Sequence, residues 1–222
     1  MIAVAPEQVR VLVPPLASPL VRKLGRVDYA EALEAMRRFT ARRSDATPDE
    51  LWLLQHPPVY TLGLAANASH GPRTVGPIPV LRVERGGEVT YHGPGQLVVY
   101  TLFDLSRRGL KVRDFVRLLE QSVIELLASH GVNAERKSGA PGVYVEGAKV
   151  AALGVRISKG CSFHGLALNV DMDLAPFDEI DPCGYPGLAV TQTRDIGIAA
   201  GIDELGTGLA RRLLGQLGKR NA

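Results

Sequence analysis

The sequence is poor in cysteine, with Cys161 and Cys183 the two thiols in 222 residues. So few cysteines exclude a disulfide-stapled scaffold. With scattered histidines, and His164 three positions after Cys161, they make a weak case for a four-ligand zinc site, and no metal is expected. No apolar run is long enough to span a bilayer, so no membrane partner is expected. Glu7 and Arg10 interrupt the apolar start that a secretory signal requires, and the chain is read as cytoplasmic with reduced thiols. Aromatic residues are scarce, and none interleave with the basic pairs Arg37-Arg38, Arg42-Arg43 and Arg211-Arg212. That disfavours bases stacked on a cationic face, and no nucleic acid is expected. The net charge of +3 suits long-range attraction of an acidic protein better than binding to a polyanion.

A hydrophobic content of 45% against 22% charge supports a buried core. No shift of composition marks a second domain, so residues 1–222 are read as a single catalytic domain. Hydrophobic periodicity predicts an opening strand at Val9–Val13, a helix over Asp28–Arg43 and strands at Leu51–Leu54 and Val59–Leu62. Further β character falls at Pro79–Glu84, Glu88–Tyr91 and Gln96–Phe103. Val112–His130 reads as an amphipathic helix ended by Gly131. Strands at Gly142–Val145, Lys149–Ile157 and Phe163–Val170 follow, joined by turns at Glu146-Gly147 and Lys159-Gly160, and Ile202–Leu217 closes the chain as a helix. Runs of strands broken by a few long helices predict an α+β fold with a mixed, mostly antiparallel sheet flanked by helices.

The segment Arg85-Gly86-Gly87-Glu88-Val89-Thr90-Tyr91-His92-Gly93-Pro94-Gly95-Gln96 stands out. Its glycines allow backbone to approach a ligand closely, and Arg85 and His92 flank a β-prone core, so it reads as a binding wall.

Two further segments carry candidate chemistry. Cys183 lies in the turn-rich Asp181-Pro182-Cys183-Gly184-Tyr185-Pro186-Gly187, where a nucleophile is accessible, whereas Cys161 opens a strand and reads as structural. A thiol needs a partner to ionise it. Lys149 sits in the most apolar surroundings of any lysine; reference values leave about two pKa units between Lys and Cys, about 2.6 kcal/mol, which burial can supply. Lys149 equally suits a strand edge guarded by charge. His56, His92 and His164 each stand next to a turn, and a Cys/His pairing with any of them is an alternative.

At these residues the chain resembles the lipoyl(octanoyl) transferase family, the octanoyl-carrier-protein:protein octanoyltransferases of lipoate biosynthesis. The resemblance runs through His56-Pro57-Pro58-Val59-Tyr60-Thr61-Leu62-Gly63, the Arg85–Gln96 segment, Lys149-Val150-Ala151-Ala152-Leu153-Gly154, Gly160–Val170 and Pro182-Cys183-Gly184-Tyr185. It implies the catalytic fold of biotin and lipoate protein ligases and an acyltransferase without cofactor. Cys183 would carry an acyl thioester and Lys149 would tune it. Acyl-substrate contacts map onto Arg85, Gly86, Gly87, Glu88, Val89, Thr90, Tyr91 and His92, onto Ala152, Leu153 and Gly154, and onto Gly165, Leu166 and Ala167. The implied donor is octanoyl-acyl carrier protein. The implied acceptors are apo-lipoyl domains of 2-oxoacid dehydrogenase E2 subunits and the glycine cleavage H protein. The chain departs from the family at Asp181, where Asn is frequent and where an inward carboxylate opposes thiol ionisation, and at Leu64-Ala65-Ala66-Asn67, where Arg is frequent.

Overall fold

A computed structural model describes residues 17–67, 70–74, 76–185 and 187–220, without the side chains of Cys183, Lys219 and Arg220. The strand expected at Val9–Val13 lies outside them. Strand β1 (Leu20–Arg26) leads into helix α1 (Tyr29–Ala41), which starts where the Asp28 carboxylate accepts the Ala30 N–H at 2.8 Å and the Glu31 N–H at 3.3 Å. There follow β2 (Glu50–Gln55), β3 (Val59–Leu62), β4 (Val80–Arg82), β5 (Val89–His92) and β6 (Gln96–Leu102). After helix α2 (Val112–Ala128) come β7 (Glu135–Lys137), β8 (Ala140–Val145), β9 (Ala148–Ser158) and β10 (Cys161–Asn169). Two 3-10 turns, Ala175–Glu179 and Pro182–Gly184, precede helix α3 (Ile202–Arg220).

Seven strands form one sheet in the order β1-β2-β6-β10-β9-β8-β7, and β4-β3-β5 form a second. In the large sheet β1 runs parallel to β2, and the other neighbours pair antiparallel. The expected α+β class with a mixed, mostly antiparallel sheet is therefore what the chain adopts. The hairpin loops Glu146-Gly147 (φ 48° and 86°) and Lys159-Gly160 (φ 48° and 79°) place both residues in the left-handed region, the type I′ geometry that matches strand twist.

Both faces of the large sheet are covered, which explains strands that read as continuous apolar runs. Leu51, Leu53, Leu97, Val99, Leu166 and Leu168 face α2 and α3. The alternate residues Trp52, Leu54, Val98, Tyr100 and Ala167 face Tyr29, Leu33 and Met36 of α1. The small sheet adds a third cluster in which Tyr60 and Tyr91 pack with Phe177 and Ile180.

Two strands were not expected from sequence. Strand β1 is exposed throughout and mixes Leu20, Val21 and Leu24 with Arg22, Lys23 and Arg26, so it shows no period; it is a charged sheet edge. Strand β7 spans three residues, too few for a pattern.

Candidate active site

A cleft of about 480 Å³ opens on the α1 face of the large sheet, between β9, β10 and the Arg85–His92 segment. Small side chains make the room. Ala152 pairs with Ala167 and Gly154 with Gly165 across β9 and β10, so four adjacent positions project almost nothing. At Gly154 an added Cβ would stand 2.7 Å from the Gly86 carbonyl oxygen, which fixes how closely the glycine-rich loop lies on β9. The Gly86 N–H bonds the Val155 carbonyl at 3.0 Å. Of the residues expected to contact an acyl group, Arg85, Gly87, Glu88, Val89, Thr90 and His92 line the cleft from one side. Ala152–Gly154 and Gly165–Ala167 line it from the other. Gly86 and Tyr91 are not in the lining; the Tyr91 ring points instead to Tyr60 and Phe177.

Behind the wall lies a buried aromatic cluster. The His56 ring donates from Nδ1 to the Val27 carbonyl at 2.7 Å and accepts the Tyr100 hydroxyl at Nε2, also at 2.7 Å. His92 donates from Nδ1 to Gln96 Oε1 at 2.7 Å and stacks on Tyr29. Arg85 is buried with its guanidinium on the Thr61 hydroxyl and carbonyl and on the Gly86 carbonyl. Desolvation, reinforced by this neighbouring cation, lowers His164 to about 3 and pushes His92 well below the ordinary histidine value. His56 is lowered mainly by desolvation. All three rings are thus neutral at physiological pH. Burial drives the Tyr29 phenol up to about 12.

His164 has φ +61°, and neither ring nitrogen has a hydrogen-bond partner among the described residues. Its rings of contact are Phe163, stacked, and Tyr100, edge-on.

Lys149 stands near the start of β9, 3% exposed. A bulge opposite Val143 and Tyr144 shifts the register there and re-aims the side chain. The Nζ donates to the Pro141 carbonyl at 3.2 Å and lies 5.1 Å from the centre of the Tyr144 ring. Gly142 makes space for it, because a Cβ there would meet Cε at 3.0 Å.

The chain after Cys183 docks beside this lysine. Lys149 N–H donates to the Ala189 carbonyl at 2.8 Å, and Thr191 N–H to the Lys149 carbonyl at 2.9 Å. This bridge holds the chain that follows the Pro182–Gly184 turn on the strand whose next residues wall the cleft. The turn itself packs on β5. Asp181, just before it, is held by an ion pair with Arg73, whose guanidinium also donates to the Asp178 carbonyl. The carboxylate that departs from the resembled family is therefore neutralised by a cation.

A hydrogen-bonded line joins the two halves of the site. His92 donates to Gln96 Oε1; Gln96 Nε2 donates to Asn169 Oδ1 at 2.9 Å; Asn169 Nδ2 donates to the Thr191 carbonyl at 2.9 Å. Asn169, Tyr29 and Tyr100 are not among the candidate site residues read from the sequence. The available signal was a primary amide, Gln96 or Asn169, inside an otherwise apolar strand, since a buried amide is kept only where its bonds are met. Among the described residues no group of acidic, histidine or cysteine side chains is arranged to hold a metal. Cys161 is 8% exposed at the far end of β10, its thiol pushed up by burial, in keeping with a structural role.

A family model described as the lipoyl protein ligase A/B catalytic domain matches residues 28–207. An octanoyltransferase of Dechloromonas aromatica is 58% identical over 203 residues, covering 91% of this chain and 98% of that protein. An octanoyltransferase of Aromatoleum aromaticum is 60% identical over 194 residues, covering 87% and 84%. Among solved structures, a lipoate-protein ligase A bound with ATP superposes with a TM-score of 0.73 at 14% identity, covering 91% of this chain and 93% of that one. A biotin protein ligase from Aquifex aeolicus gives 0.57 at 17% identity, covering 92% and 71%. At such identities these two structures speak for the fold.

Proposed function

The chain belongs to the lipoyl protein ligase A/B catalytic domain family, and from that premise we propose that it moves an octanoyl group from octanoyl-acyl carrier protein to a lysine of apo-lipoyl domains, through a thioester on Cys183. Residues 1–222 act as one octanoyltransferase domain. In the first step Lys149 takes the Cys183 proton, the thiolate attacks the donor thioester, and the carrier thiol leaves with a proton. In the second, the acceptor amine attacks the Cys183 thioester, an amide forms and the thiol is regenerated. The acyl chain lies in the cleft against Ala152, Gly154, Gly165 and Ala167, whose small side chains leave the space. Thioester to amide is downhill, so the exchange needs no nucleotide. The acceptors are the lipoyl domains of 2-oxoacid dehydrogenase E2 subunits and the glycine cleavage H protein.

The observation that carries this reading is the backbone bridge between Lys149 and residues 189–191. The bridge holds the segment that follows the Cys183 turn against Lys149, on the strand whose next residues wall the cleft. A pairing of Cys183 with His92 or His56 fits less well, because His92 is committed to Gln96 and His56 to Val27 and Tyr100. The test is transfer to an apo-lipoyl domain in the absence of ATP. Octanoyl-carrier protein should serve as donor, and Cys183→Ser and Lys149→Met should each abolish transfer. Transfer that requires free octanoate and ATP, and that survives Cys183→Ser, contradicts the reading and favours a ligase.

A further inference from the structure

Beside the Cys183 turn stands a carboxylate for which the two-step scheme has no use. Glu88 lines the cleft with its side chain 20% exposed. Its Oε2 accepts the Asn67 N–H at 3.1 Å and lies 3.3 Å from His70 Nδ1. Oε1 makes no hydrogen bond to the described residues, and it lies 3.4 Å from where a β carbon would stand on Gly184, the residue that follows Cys183. Gly184 has φ +72°, so the turn presents bare backbone to this oxygen. The other carboxylate next to the turn, Asp181, is neutralised by Arg73. Of the two, Glu88 is the one without an Arg or Lys partner among the described residues.

A negative charge here opposes formation of the Cys183 thiolate and therefore does nothing for the first step. Its field helps only a reactant that arrives or becomes positive. Building on the transfer function proposed above, we propose that Glu88 receives the ε-ammonium of the acceptor lysine and steadies the positive nitrogen during its attack on the Cys183 thioester. The ammonium docks on Oε1, and one of its protons passes through Lys149 to solvent. The N–C bond forms as the C–S bond breaks. A second proton goes from nitrogen to the departing Cys183 sulfur, leaving an amide with one N–H and a free thiol. Glu88 is in this sense a specificity residue: it selects a cationic primary amine for the second step.

The test separates the two steps in Glu88→Gln, which keeps an oxygen for the Asn67 N–H. Formation of the octanoyl-enzyme from octanoyl-carrier protein should be affected less than its discharge to a lipoyl domain. Discharge of the isolated octanoyl-enzyme to an apo-lipoyl domain should slow about fivefold, as expected for loss of one solvent-screened charge contact. Discharge to hydroxylamine, a nucleophile uncharged at neutral pH, should be unchanged, and Glu88→Asp should recover part of the discharge to the lipoyl domain. Equal slowing with both nucleophiles, or equal slowing of the first step, overturns the proposal and leaves Glu88 a structural role. Failure of the wild-type protein to form any octanoyl-enzyme counts against the transfer function itself and not against Glu88.

Discussion

At the scale of single residues, the chemistry separates into groups that are neutral by burial and groups that are charged by pairing. His164 belongs to the first set. Its value falls from 6.5 in the unfolded chain to about 3 in the folded protein. Between those values the unfolded state binds more protons, so the stability tied to the neutral ring is complete above about pH 6.5 and is lost progressively as pH falls toward 3. The total is on the order of 4 kcal/mol, and His92 and His56 act in the same direction. Chemical denaturation between pH 7.5 and pH 4.5 should show a steep loss of stability, and His164→Asn should flatten it. An unchanged slope in that variant would mean that the acid sensitivity arises elsewhere. In the sequence, candidate residues stand out where a side chain is out of context: Cys183 in a turn and Lys149 in an apolar strand. His164 was visible only as a histidine next to a glycine, because its strained backbone and unmet nitrogens arise from packing against Phe163 and Tyr100. The neutralisation of Asp181 was equally hidden, since Arg73 is more than a hundred positions away.

At the scale of elements, the helices and hairpins follow from local rules and the site follows from contacts between elements. Helix α1 begins at its Asp28 cap and buries Tyr29, Leu33 and Met36, and the loops Glu146-Gly147 and Lys159-Gly160 fold the β8-β9-β10 meander. These features were legible because period, cap and turn chemistry lie within a few residues. The segment 189–191 has no such signature. It pairs with β9 where β10 has ended, and it holds the chain that follows the Cys183 turn against Lys149. Thr191→Pro removes the N–H that bonds the Lys149 carbonyl. Transfer should fall about a hundredfold, as for a displacement of about 1 Å in reacting groups. The melting temperature should drop by only a few degrees, because the core clusters on both faces of the sheet are untouched. Equal losses of folding and activity would show that this segment supports the fold and not the site.

At the scale of the molecule, one buried charge cluster ties the parts together. Asp49, 2% exposed, receives Arg43 from beyond α1 and Arg107 and Arg108 from the loop after β6, and it accepts the Asp104 N–H at 2.9 Å. Asp49→Asn leaves three guanidinium groups converged on a neutral amide. The expected loss is about 3 kcal/mol, the low end for a broken buried pair because Arg107 is partly exposed. Calorimetry should show a fall in melting temperature of roughly 10 °C. The same fold serves ligases that bind ATP in the lipoate-protein ligase A structure, so architecture alone does not choose the chemistry. What chooses it is whether Cys183 becomes acylated. The most direct measurement is the intact mass of the protein after mixing with octanoyl-acyl carrier protein without nucleotide, followed by peptide mapping. The account predicts a gain of one octanoyl group on Cys183, absent in Cys183→Ala and discharged on adding an apo-lipoyl domain. An unmodified Cys183 in a protein that still octanoylates the lipoyl domain would contradict it.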